Sequence, residues 1–343
     1  MSSNVGMAVA NGALPIIAYG LLIYTWYIYV FRVCQPLLLN QDQAAMGGIF
    51  IFITTALWWF SLISYLRILL SHPGKPAQST HTYQISPTIY SPSLFDISTM
   101  TTQPLSLRDE IPLPLLSLSR ADGGLRYCTI CCCYKPDRTH HCKECNSCVL
   151  KMDHHCPWII GCVGHGNYKF FFLFVLYTGL YGVWCLCSAL PLVVNAVQYK
   201  DFLLDPQWIA LLILAFIFGF TIFGFAASHC YYIMRNETTI EHINDRPYEV
   251  RVDFDPSGTN YEIVSVQCTD MLWDNGISLN WRATMGSNPL GWFVPLWGGM
   301  GDGSVHPYNP TVYYTVVERA KCQRMMLNPH SLCEQDALVM LED

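Results

Sequence analysis

Residues 168–194 read YKFFFLFVLYTGLYGVWCLCSALPLVV, and Lys169 is the only charged residue among them. At 1.5 Å per residue an α-helix of that length exceeds the ~30 Å of bilayer hydrocarbon, and the run offers no polar face to water. Three further apolar runs, Ala13 to Cys34, Gly47 to Leu70 and Trp208 to Ile233, are of the same kind. Buried helices of soluble proteins usually run ~8–20 residues and keep a polar face, so all four runs read as membrane crossings. Composition agrees: the 343 residues are 52% hydrophobic, 14% aromatic and 13% charged. A net charge of −6 supplies no basic field for nucleic acid. The N-terminus lacks the basic region and cleavage site of a signal peptide and is read as retained.

The loops orient these spans. Lys and Arg are missing from residues 1–12 and 35–46, and residues 195–207 hold only Lys200. The segment between the second and third spans carries Lys75, Arg108, Arg120, Arg126, Lys135, Arg138, Lys143 and Lys151, and Arg235 follows the fourth. Positive charge marks the cytosolic side, so that segment and both termini are expected there. Arg32, Arg67 and Lys169 fall near span ends, where long side chains reach the interface. The stretch from Ser71 to Arg120 is rich in Ser, Thr and Pro and reads as a partly disordered linker. No repeat of solenoid period is present.

Immediately before residue 168 lies the chemistry. Nine of the sixteen cysteines fall between Cys128 and Cys162, interleaved with five histidines from His140 to His165. Such clustering indicates metal binding in a reducing compartment rather than disulfides. The spacing runs Cys128-x2-Cys131, then His141-Cys142-x2-Cys145-x2-Cys148, then Asp153-His154-His155-Cys156 and Cys162. Closed structural zinc sites take four thiolates or imidazoles, and two residues between cysteines form a knuckle. Cys128 with Cys131 and Cys142 with Cys145 are the natural pairs; spacing leaves the division of the remaining ligands open. Two Cys3His sites would use eight residues and leave thiols over. Cys156 is the informative one, because a histidine two residues away can take its proton and an aspartate can hold that imidazole. It also lies a dozen residues before a span, where a thiol meets lipid chains and acyl thioesters.

These residues resemble the DHHC-type protein S-acyltransferases, or palmitoyltransferases. The likeness rests on the Cys/His spacing, on Lys135-Pro136-Asp137-Arg138, Lys151-Met152-Asp153-His154-His155-Cys156-Pro157-Trp158, Cys162-Val163-Gly164 and Asn167-Tyr168-Lys169-Phe170-Phe171. Thr238-Thr239-Ile240-Glu241 is similar to the family's TTxE motif, and Asn275-Gly276 with Asn280-Trp281 to its C-terminal Asn motif. His72-Pro73-Gly74 stands where the family has Asp-Pro-Gly, and Ile160-Gly161 where it has a polar residue before Cys162.

The resemblance implies an all-α polytopic membrane protein with four transmembrane helices and a cytosolic two-zinc cysteine-rich domain. Its parts would be 1–70 with spans one and two, 71–125 linker, 126–167 zinc domain, 168–233 spans three and four, and 234–343 cytosolic tail. Structural zinc would be held by Cys128, Cys131, His141 and Cys148, and by Cys142, Cys145, His155 and Cys162. Cys156 would carry the acyl group, with His154 as base and Asp153 orienting it, in a two-step exchange from palmitoyl-CoA to cysteines of protein substrates near the membrane. Thr238 and Thr239 would brace Asp153, with Glu241 and Asn280 in support. Trp158, Phe171, Phe174 and Tyr181 would line an acyl cavity among the spans. Arg126, Lys135, Arg138 and His140 would meet the CoA phosphates. The lipid bilayer and acyl-CoA are the implied partners, in an endomembrane (Golgi, ER or vacuole/lysosome) ahead of the plasma membrane.

Two rival readings fail on the same residues. A RING-like module ends in a further CxxC pair, and none follows Cys162. A metal transporter places carboxylates or histidines deep in its spans, whereas His229 alone sits in one, toward its end.

Overall fold

The computed structural model describes residues 2–35, 44–77, 114–199, 204–255, 257–296 and 301–327. Most of the Ser/Thr/Pro-rich stretch, 78–113, lies outside them. The chain forms two compact units, one of Met1–Gly74, Met152–Met234 and Trp281–Met300, the other of Lys75–Lys151, Arg235–Asn280 and Gly301–Asp343.

The first unit holds four long helices: α1 (Ser2–Tyr27), continued by a π-helical stretch (Ile28–Cys34), α2 (Ala44–Leu70), α3 (Tyr168–Tyr199) and α4 (Pro206–Arg235). Each contains a candidate membrane span, of 22, 27, 31 and 30 residues with mean hydropathies of 1.6 to 2.6. Two of them approach closely at small residues. A Cβ on Gly182 of α3 would lie 2.5 Å from Cα of Gly219 on α4, and one on Gly179 would lie 2.7 Å from Cα of Phe223. Lipid offers no hydrophobic gain for helix association, so close backbone packing of this kind supplies it. Polar groups inside the bundle find partners there, as hydrocarbon demands. Trp58 donates to the Leu22 carbonyl (2.9 Å), Trp184 to Thr54 (2.8 Å) and Tyr181 to Thr25 (3.0 Å), and Tyr29 meets Ser188 at 2.6 Å.

A short hairpin, β6 (His154–Cys156) against β7 (Gly161–Val163), precedes α3 in the same unit. Asn167 clamps the two together: its amide donates to the Cys162 carbonyl (3.0 Å) and its Oδ1 accepts from the Gly164 amide (2.9 Å). The amide of Gly166 donates to the Pro73 carbonyl (2.9 Å), and a Cβ there would meet the His72 carbonyl at 2.2 Å, so only glycine fits against His72-Pro73-Gly74.

The second unit adds structure beyond the expected helices. Strands β2 (Tyr127–Cys128) and β3 (Cys133–Tyr134) form one hairpin, and β4 (His140–Cys142) and β5 (Ser147–Val149) another. A three-stranded antiparallel sheet, ordered β1-β8-β9, joins Leu115–Leu118 to Tyr248–Asp253 and Tyr261–Val266. In both tail strands apolar residues alternate, and Val250, Val252, Val264 and Val266 point into a core closed by Val316, Val317 and Ala320 of α7 (Pro310–Leu327). Two further α-helices are α5 (Thr239–Ile243) and α6 (Ile277–Met285), and short 3-10 turns cover Pro157–Ile159, Cys268–Asp270 and Pro289–Gly291.

Candidate active site and metal centre

Cys128, Cys131, His141 and Cys148 bring one donor atom each within 4.8 Å of one another. His141 Nδ1 lies 3.5, 3.3 and 3.8 Å from the sulfurs of Cys128, Cys131 and Cys148. In a tetrahedron with Zn–S near 2.3 Å and Zn–N near 2.0–2.1 Å, the S···N edges come to about 3.6 Å. The quartet therefore fits zinc by donor type, number and spacing. Its construction is local. The Cys131 amide folds back onto the Cys128 sulfur at 3.4 Å, as in a knuckle, and the β4–β5 register sets His141 directly opposite Cys148.

The same two devices recur. The Cys145 amide meets the Cys142 sulfur at 3.4 Å, and the β6–β7 register sets His155 opposite Cys162 with 3.8 Å between Nδ1 and sulfur. Alternation of strand faces explains why the ligand sets interleave in sequence. His141 and Cys142 are neighbours on β4 and so face opposite ways. On β6, His154 and Cys156 share one face while His155 takes the other.

On that shared face the nucleophile candidate assembles. Asp153 is fully buried and meets His154 Nδ1 at 2.6 Å, which fixes the imidazole's tautomer and direction. Burial opposes a charge on His154, but its hydrogen bonds to Asp153 and Cys156 carry its pKa up to about 9. Cys156 itself is 8% exposed and opens onto a cavity of about 330 Å3. Trp158, Phe171, Phe174 and Tyr181 all line that cavity, together with Gly182 and Gly219 at the close approach of α3 and α4. Tyr65 on α2 steadies the mouth, donating to the Trp158 carbonyl (2.8 Å) and stacking on Phe174 at 4.7 Å.

His229 has no place in the sequence-based site, yet α4 sets it beside the triad. It is fully buried, bonds Tyr168 at 2.9 Å, and its ring centre lies 5.0 Å from Phe171 and 6.1 Å from His154. A lone histidine near a span end carries no local pattern that would reveal this.

The remaining expected residues lie in the second unit. Arg138 is 1% exposed: Nε and Nη2 donate to the two oxygens of Glu241 at 2.8 and 2.7 Å, and Nη1 and Nη2 to Asn236. Its guanidinium also stacks 4.6 Å from the Trp273 ring. Four of its five N–H donors are thus committed inside the protein. Arg126 is half-buried and donates to the Thr139 carbonyl (2.8 Å), and Lys135 is half-buried nearby. His140 is kept neutral, with a pKa pulled down to about 4 by burial and by Arg126. Arg126, Arg138 and His140 all line a cavity of about 580 Å3. The Thr238-to-Glu241 run is a capping box of α5. Thr238 Oγ1 accepts from the Glu241 amide (3.2 Å) and Glu241 from the Thr238 amide (2.9 Å), while Thr239 opens the helix. Asn280, buried, accepts from the Asn275 amide and donates to Asp274, which shapes the turn at Gly276.

A family model described as DHHC palmitoyltransferase matches residues 122–246. The chain is 30% identical over 311 residues to palmitoyltransferase PFA3 of Debaryomyces hansenii, covering 80% of this chain and 75% of that protein. It is 27% identical over 288 residues to palmitoyltransferase ZDHHC20 of Homo sapiens, covering 83% and 73%. With palmitoyltransferase PFA3 of Saccharomyces cerevisiae it shares 36% identity over 181 residues, 51% of this chain and 52% of that one.

Proposed function

Since the chain belongs to the DHHC palmitoyltransferase family, we propose that this integral membrane protein transfers a fatty acyl group by way of Cys156. One observation carries the reading: a thiol paired with a buried Asp–His couple opens onto an apolar cavity among membrane helices.

In the first half-reaction the Cys156 sulfur adds to the thioester carbonyl of palmitoyl-CoA. The bond from carbonyl to CoA sulfur breaks, and the CoA thiolate takes a proton that His154 can deliver. In the second, the sulfur of a protein cysteine adds to the acyl-enzyme carbonyl, gives its proton to His154, and Cys156 leaves as thiolate. One thioester replaces another at each step, so no external energy source is needed. Asp153 keeps the imidazole aimed and stabilises its charged form. The apolar walls around Trp158, Phe171, Phe174 and Tyr181 suit an acyl chain, and Arg126, Lys135 and His140 remain the candidates for the CoA phosphates. The burial of Arg138 supports a structural role for it instead.

Two zinc ions complete the proposal, one in the quartet Cys128, Cys131, His141 and Cys148, the other held by Cys142, Cys145, His155 and Cys162. The preformed knuckle Cys142–Cys145 and the paired His155–Cys162 support the second set. Bound zinc would cross-link short hairpins that have little core of their own, and supplies no chemistry to the transfer. Thr238 and Thr239 are proposed to brace Asp153. The excess of Lys and Arg in residues 71–167 supports a cytosolic active site and cytosolic termini. An endomembrane is the proposed location, and substrates would carry cysteines at its cytosolic face.

Purified protein given palmitoyl-CoA is expected to form an adduct released by neutral hydroxylamine. Cys156→Ser should abolish it, and an undiminished adduct in that variant would overturn the assignment.

A further inference from the structure

Residues 286–296, Gly-Ser-Asn-Pro-Leu-Gly-Trp-Phe-Val-Pro-Leu, contain no ionisable side chain. They expose three large apolar ones: Leu290 at 88%, Phe293 at 51% and Leu296 at 52%. A loop in water would not hold such a set together without a partner.

Its attachment points give its depth. Lys169, at the start of α3, donates to the carbonyls of Met285 (3.1 Å) and Gly291 (2.8 Å). Tyr177, about two turns further along the same helix, donates to the carbonyl of Phe293. At 1.5 Å per residue Tyr177 lies about 13 Å from the first residue of α3. The 31-residue span there is about 46 Å long against ~30 Å of hydrocarbon, so a centred core begins about 8 Å in and Tyr177 lies about 5 Å below its surface. Helix α2 checks the estimate. Phe60 stacks on Tyr177 at 5.0 Å and sits about 15 Å from the Leu70 end of a 27-residue span, which places it about 10 Å below the same surface. Arg67 lies 5.9 Å from the Phe170 ring, which sets both cations at one level nearer the helix ends.

Most of the segment's backbone amides, though not that of Phe293, are met from within it. The amides of Leu290, Gly291, Trp292, Val294 and Leu296 all find acceptors within the segment, and Pro289 and Pro295 have no amide to satisfy. Trp292 donates its indole N–H to the Gly286 carbonyl at 2.8 Å. Irregular chain at membrane depth is tolerated where its backbone is buried in protein, and the bonds from Lys169 and Tyr177 hold this backbone against α3.

We propose that residues 289–296 form a re-entrant membrane segment whose Leu290, Phe293 and Leu296 side chains sit among lipid acyl chains, at the end of the bundle marked by Lys169 and Arg67. The occupant of this surface is the bilayer. This rests on α2 and α3 spanning the membrane and is independent of acyl transfer; part of the region 234–343 is then not aqueous.

The full chain carrying acridonylalanine in place of Leu290, reconstituted in phosphatidylcholine vesicles, tests it. Emission should fall at least about twofold with lipids bearing a doxyl group on the acyl chain, and iodide in the buffer should leave it unchanged. The same probe in place of Met326, 82% exposed on α7, should show the reverse. Iodide quenching at position 290 equal to that at 326 overturns the proposal. So does quenching by neither agent, which would mean that protein, such as a second copy, covers the segment. Each variant is first checked for a single cooperative thermal transition; if position 290 fails that check, the probe at Phe293 or Leu296 gives the same readout.

Discussion

His154, His155 and Cys156 are consecutive, yet a strand divides them between two faces. The roles proposed for these residues follow from that period of two. His154→Ala should retain zinc and slow acyl-enzyme formation by ~10²–10⁴-fold, the usual worth of a positioned acid–base group. His155→Ala should lose zinc, measured by metal analysis of the purified protein. Zinc loss from the first variant and not the second would reverse the assignment. The other residue-level result is the buried fork of Arg138 on Glu241. Burial pushes the Glu241 carboxyl up, but Arg138 pulls it below its ordinary value. Its contribution to stability is therefore present above the ordinary carboxyl range and lost as pH falls through the lowered value. Arg138→Met or Glu241→Gln alone should cost about 3–5 kcal/mol by stranding the partner, and the double variant less than the sum. Thermal unfolding between pH 3 and 7 measures both effects, with the acid limb reduced in Glu241→Gln.

At the scale of elements, the hairpins turn on residues with positive φ: Cys132 at 52°, Asn146 at 46° and Ile160 at 51°. Asparagine tolerates this conformation, whereas a β-branched residue pays about 1–2 kcal/mol for it. Ile160 is 52% exposed, so it recovers little by burial. Ile160→Asn should raise stability by about 1 kcal/mol, read as a higher midpoint in thermal unfolding; a lower midpoint would show that Ile160 makes a contact that outweighs the strain. Elements also separate what was legible from what was not. The spans were legible because hydrocarbon forces a long apolar composition that nothing else in a chain requires. The β1-β8-β9 sheet was not expected, although Tyr248–Asp253 and Tyr261–Val266 alternate. Two six-residue strands are too short to separate from loop on pattern alone, and β1 pairs with a strand more than 130 residues away.

At the scale of the whole molecule, Cys/His ligands and membrane helices are different solutions to the same shortage of soluble core. The hairpins of residues 127–163 are built from strands only two or three residues long, and bound zinc would cross-link them. Metal analysis should find two zinc ions per chain, retained in Cys156→Ser and lowered in Cys142→Ser. A strong chelator should abolish acyl-enzyme formation, with loss of a cooperative thermal transition in the zinc region.

Counting residues along the chain was enough to determine four membrane helices, a metal-binding segment between the second and third, and a spare thiol beside an acid and a base. Each depends on composition or on spacing within a few residues, which folding cannot change. Only the tertiary structure decided that Cys156 opens onto a cavity floored by two glycines, that Arg138 turns inward to Glu241, that His229 stands beside the triad, and that residues 289–296 run down the side of a spanning helix. Those features join residues far apart in sequence, and their partners are chosen by the packing of whole helices and strands, which no local pattern records.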